Sequence, residues 1–224
     1  MALLLVILSG LAWTVVYAEC IRVGLRDRTY AMPLAALGLN IAWESTYAVH
    51  YLAVAVDVQA VINVVWALAD LVVVATFFRF GRAEFPTLSG PLFVGWGMLT
   101  FAASYAVQWL FIGEFGWSAA ARYSAFLQNL LMSVLFVAMF AARRGARGQS
   151  LVIAVMKWLG TLAPTIMFGM YEHLPFILGI GILCGVFDML YIGLLWHARV
   201  TAQAPEPAAA APAAAPQPVA GTRS

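Results

Sequence analysis

Seven runs of mainly apolar residues, joined by short polar connections, constrain this chain more than any motif in it. They fall at 1–18, 31–48, 58–78, 91–112, 119–142, 151–170 and 175–196. Each is close to the ~20 residues that cross a bilayer core as a helix. In lipid every backbone N–H and C=O must be satisfied within the protein, so runs of this length fold as helices. Of the 224 residues 64% are hydrophobic and 10% charged, far from a soluble domain. The sequence predicts an all-α membrane protein, a seven-transmembrane-helix bundle occupying 1–200.

Charge sets the expected orientation. Arg22, Arg26, Arg28, Arg79, Arg82, Arg143, Arg144, Arg147 and Arg199 flank one side of the runs, whereas the opposite connections offer Arg122. Positive residues favour the cytoplasm, which predicts an N-terminus outside, a C-terminus in the cytoplasm and residence in the cell membrane. The first run lacks a basic stretch before it and so reads as a retained helix, not a cleaved signal. Beyond residue 200 an Ala/Pro-rich stretch, 201–224, has no apolar periodicity to bury and reads as a disordered cytoplasmic tail. A net charge of +2 gives no reason to expect nucleic acid. Cys20 and Cys184 lack disulfide or metal-ligand spacing, so free thiols and no metal or other cofactor are expected. All basic residues but Lys157 are arginine, and alanine is abundant, a compositional hint of a bacterial genome.

An ionisable side chain at mid-bilayer costs about 2.5–3.5 kcal/mol on insertion scales, so it faces the bundle interior or a cavity. On the second run Asn40, Trp43, Glu44 and Tyr47 follow i, i+3, i+4, i+7 and share one helix face. Trp66 and Asp70 on the third run and Asp188 and Tyr191 on the seventh again put a carboxyl beside an aromatic ring. The fourth run adds Ser104, Tyr105 and Gln108, the fifth Asn129 and Ser133. Amides and hydroxyls commonly serve as glue between membrane helices, so these last residues discriminate less. Trp96, Trp109, Trp117, Trp158 and Trp196 lie near run ends, where interfacial anchoring explains them. Lys157 is expected to snorkel to the interface, and Glu172 and His173 to lie solvated in an outer turn.

Residues of these types suit acid-initiated carbocation chemistry. A carboxyl in a water-poor cavity tends to keep its proton and can act as a Brønsted acid. Aromatic faces stabilise cationic character, and exclusion of water protects the cation from quenching.

The stretch from Asn40 to Tyr47, with Trp43 and Glu44 between, resembles the N-x-x-W-E-x-x-Y element of the small membrane-bound terpene cyclases of fungal meroterpenoid and indole-diterpene pathways and their bacterial prenyl-indole relatives. Asp188 and Tyr191 resemble that family's signature in its last helix, and Trp66 with Asp70 also fits. The resemblance implies seven helices and a metal-independent terpene cyclase in which Glu44 and Asp188 are catalytic. Glu44 would donate the proton, and Asp188 would assist it or take the terminal proton. Asn40, Trp43, Tyr47, Trp66, Asp70, Gln108, Asn129 and Tyr191 are the expected substrate-binding residues. The implied partners are the lipid bilayer and a hydrophobic prenylated small molecule, foremost a farnesylated indole alkaloid cyclised from its terminal alkene or epoxide, with no obligate protein partner.

The main alternative is a proton-coupled small-molecule transporter, although internal repeats and paired broken helices are not evident. A retinal protein would need a lysine in the last helix, and a passive scaffold would have no use for inward carboxyls.

Overall fold

The computed structural model describes residues 2–54 and 58–203, which form helices joined by short turns, with no strand among the described residues. The helices are α1 (Ala2–Asp27), α2 (Leu34–Val54), α3 (Val58–Phe80), α4 (Gly90–Arg143), α5 (Leu151–Pro164) and α6 (Pro175–Gln203). The expected tail lies, from residue 204, outside the described residues.

Five helical segments are long and apolar enough to cross a membrane: Leu3–Asp27, Val58–Glu84, Gly90–Arg143, Leu151–Tyr171 and Pro175–Ala202. Their outward faces carry exposed residues such as Leu11, Val61, Val65, Leu68, Leu110 and Ile182, a surface that suits lipid and not water. This differs from seven separate runs in two places. α2 falls short because Asn40, Glu44, Ser45, Thr46 and His50 dilute its apolar character. It tolerates them because it packs against α3 and α4 and buries most of its length in protein. The fourth and fifth expected runs belong to one helical stretch, α4.

α4 is nevertheless not straight. Its 54 residues would extend about 81 Å at the α-helical rise. Yet Arg143 at its end reaches Glu84, ahead of its start, with Nε 2.8 Å from Oε2, and Gln108 donates to Gln128 at 3.1 Å. The chain reverses at Gly116, whose φ of 69° and ψ of 164° are readily adopted only without a Cβ. α4 is therefore a hairpin of two legs. Ser89 caps its start by accepting from Leu92 N, and Ser150 caps α5 by accepting from Val152 N.

α1 packs on α5 and α3, and α6 on α4 and α5. Gly160 makes the α1–α5 approach possible: a Cβ there would meet the Trp13 ring at 2.8 Å. At Pro164 the missing N–H ends the regular α5 ladder, and a wider π-helical turn, Thr165–Tyr171, follows. The arginine-rich ends converge. Arg143 also donates to Tyr30 O at 2.9 Å and lies over the Tyr30 ring, while Gly148 N donates to Asp27 at 2.9 Å. At the opposite end Arg122 pairs with Glu172 at 3.0 Å, so Glu172 is ion-paired as well as partly solvated.

Candidate active site

A cavity of about 280 Å³ opens between α1, α2, α3, the second leg of α4 and the π-helical turn. That is near the lower end of the ~300–1,000 Å³ usual for small-molecule sites. Its wall is mainly apolar and aromatic, with Trp13 from α1, Trp43 from α2 and Trp66 from α3. Among the described residues that line it, Glu44 is the one carboxyl. Hydrogen bonds fix two of the indoles: Trp43 Nε1 donates to Ala121 O at 3.0 Å and Trp66 Nε1 to Thr14 Oγ1 at 3.1 Å. Edges and faces are thus set before any ligand enters.

Part of the cavity wall is a connected polar cluster, with Tyr17, Asn40 and Glu44 at the cavity and Asp70 behind them. Tyr17, whose ring sits 5.8 Å from Trp66, donates its hydroxyl hydrogen to Glu44 Oε1. Asn40 Nδ2 donates to the Tyr17 hydroxyl and to Asp70 Oδ2 at 3.1 Å, and lies 3.3 Å from Glu44 Oε1. The Asn40 amide nitrogen thus faces three oxygens. Glu44 Oε2 and Asp70 Oδ1 are buried without a hydrogen-bond donor. A buried carboxyl oxygen with no donor is costly, so a native structure that keeps two of them calls for an explanation.

A separate buried carboxyl lies away from this cluster. Asp188 on α6 accepts from Lys157 Nζ on α5 at 2.8 and 3.1 Å, and Lys157 also donates to Ser133 on α4 at 2.6 Å. Both charged side chains are almost fully buried, and neither lines the cavity.

Residues 1–201 match the family described as Pyr4-like transmembrane terpene cyclases. The chain belongs to this family. It is 32% identical over 169 residues to the Pyr4-family terpene cyclase mfmH of Annulohypoxylon moriforme, covering 73% of this chain and 68% of that one. It is 29% identical over 206 residues to the terpene cyclase pyr4 of Aspergillus fumigatus, with 85% and 84% covered. The terpene cyclase ascF of Acremonium egyptiacum is 28% identical over 221 residues, with 85% and 79% covered. No solved structure matches. The protein is thus a membrane-embedded terpene cyclase, and the transporter alternative falls away. These relatives are fungal, so they lend nothing to the compositional hint of a bacterial source.

Of the expected site residues, the cyclase brings Asn40, Trp43, Glu44, Trp66 and Asn129 to the cavity. Asp70 is fully buried one layer behind, reached through Asn40. Tyr47 is buried in an aromatic cluster with Trp43 and Trp117. Gln108 pairs with Gln128 between the legs of α4, and it is Gln128 that lines the cavity. Tyr191 stacks on Phe136 and donates to Gln149 at 2.9 Å, away from the cavity like Asp188. Lys157, expected to snorkel, is instead enclosed by α4 and α6. Sequence reasoning missed Trp13 and Tyr17, although two aromatics at i, i+4 in an otherwise aliphatic first run were a signal that they share an inward face.

Proposed function

We propose that the cyclase uses the Glu44 carboxyl to protonate the polyprenyl group of a prenylated substrate, and that a farnesylated indole alkaloid is the class it accepts. The observation that carries this reading is the placement of a single carboxyl, held by Tyr17 and Asn40, in a cavity walled by three indoles.

The step balances as an isomerisation. The Glu44 O–H bond breaks and a C–H bond forms at the terminal alkene, leaving a tertiary cation. For a terminal epoxide the proton goes to oxygen and the C–O bond opens. Neighbouring alkenes then supply the electron pairs for ring closure, a proton leaves the carbon beside the final cation, and Glu44 regains one. The faces of Trp13, Trp43 and Trp66 favour the travelling charge by about 0.5–2 kcal/mol each. Asp188, held by Lys157 outside the cavity, serves in this reading as an anchor between α5 and α6 and transfers no proton.

The same reading takes α2 and both legs of α4 as crossings, which gives seven spans in the cell membrane. Convergence of Arg143 and Arg147 with the ends of α1 and α3 supports a cytoplasmic placement of that end and an N-terminus outside. The test is to supply membranes from a host without terpenes with a farnesylated indole and with its terminal epoxide. A product of unchanged mass with new rings from either compound is the expected result. If neither is cyclised while a prenylated phenol is, the indole assignment is lost.

A further inference from the structure

Asp70 has no place at the cavity wall, yet it is joined to the acid. It is fully buried on α3 and accepts at Oδ2 from Asn40 Nδ2 at 3.1 Å, the same nitrogen that lies 3.3 Å from Glu44 Oε1, so one amide draws the two carboxyls together. The groups that act on the two carboxyls are Tyr17 and Asn40 and each other, with Cys20 of α1 also near Asp70. No lysine, arginine or histidine from α1, α3, α4 or α5 is among them, and the ion pairs of the described residues include neither carboxyl. Two adjacent anions without a cation are not sustainable at this depth. The two donor-free oxygens, Glu44 Oε2 and Asp70 Oδ1, are where protons account for the arrangement.

We infer that Asp70 is a positioning residue: as a neutral carboxylic acid it donates a hydrogen bond to Glu44, holding that side chain in place and stabilising the carboxylate left when Glu44 gives its proton to the substrate. Glu44 then carries its transferable proton, and its conjugate base is met by two donors set in advance, the Tyr17 hydroxyl and the Asp70 hydroxyl, with the Asn40 amide holding both of those groups in place. Donors fixed before charge develops stabilise it without reorganisation, which is how an oxyanion site lowers a barrier. The chemistry is unchanged: the Asp70 proton stays on Asp70 and only the Glu44 O–H bond breaks.

The inference rests on Glu44 being the acid, and its test has one part that needs no substrate. Infrared spectra of membranes holding wild type, Asp70→Asn and Glu44→Gln at neutral pH report the C=O stretch of protonated carboxylic acids. The expected result is that each variant removes part of that band. If Asp70→Asn leaves the band intact and removes a carboxylate band, Asp70 is an anion and the inference is overturned. With a cyclised substrate in hand, Asp70→Leu is expected to lower kcat by about 10²–10³-fold with KM little changed, the loss typical of a missing preorganised donor. Asp70→Asn, still a neutral donor, is expected to restore most of kcat. Equal loss in Asn and Leu variants at matched protein levels would equally overturn it.

Discussion

The two buried carboxyl centres of this bundle differ in what is packed against the carboxyl. Around Asp188 the Lys157 ammonium, itself bonded to Ser133, supplies the counter-charge and the hydrogen bonds, and Asp188 is not among the residues that line the cavity. Around Glu44 the neighbours are an amide, a phenol and a second carboxyl, none of them cationic, and the cavity begins at the side chain itself. In the proposed mechanism the first arrangement serves as a fixed ion pair and the second as the acid. On that proposal, the role of a carboxyl in a membrane helix follows from whether a cation is packed against it.

Several variants would break or sharpen this contrast. The largest effect is expected for Glu44→Gln, which removes the proton and leaves the shape: a loss of cyclisation by ~10²–10⁴-fold, the range for a general acid, with unchanged membrane expression. Next come the single changes Lys157→Met and Asp188→Leu. Each leaves a buried unpaired charge and is expected to cost about 3–5 kcal/mol of stability, read as lower melting temperature in detergent. The double change should regain most of that loss, because an apolar pair of similar volume often replaces a buried ion pair at little cost. Failure of the double variant to recover would mean that the pair does more than anchor. Replacing Trp66 by Leu should slow turnover about 10-fold and shift the product mixture, in line with the loss of one aromatic face toward a cation. The smallest effect on turnover is expected for Gly116→Ala, which should leave the chemistry untouched and cost about 1–3 kcal/mol of stability by forcing a Cβ into a positive-φ turn that is essentially confined to glycine.

Much of this was legible in the sequence because two of its signals are strong. Apolar length fixed the helical membrane character, and the i, i+4 register of Asn40 and Glu44 placed both on one face, where the structure finds them lining the cavity. The second helix was legible for the same reason that it is not apolar enough to count as a span by itself: it carries polar residues, two of which, Asn40 and Glu44, line the cavity. What was not legible depended on which helices become neighbours. Glu44 could not reveal that Tyr17 from α1 would be its hydrogen-bond partner, since nothing local in either helix encodes that pairing. Lys157 looked like an interfacial residue from its distance to the run end, but the enclosure by α4 and α6 decides its fate. One lysine and one aspartate, each alone in an apolar run, were nonetheless a pair waiting to be matched.

The most direct test of the contrast is the initial rate of cyclisation in membranes adjusted to equal protein content, for Glu44→Gln beside the Lys157→Met/Asp188→Leu double variant. The expected result is a rate lowered by ~10²–10⁴-fold in the first and ready turnover by the second. Undiminished turnover by the Glu44 variant together with a silent, fully folded double variant would place the acid at Asp188 and contradict the account.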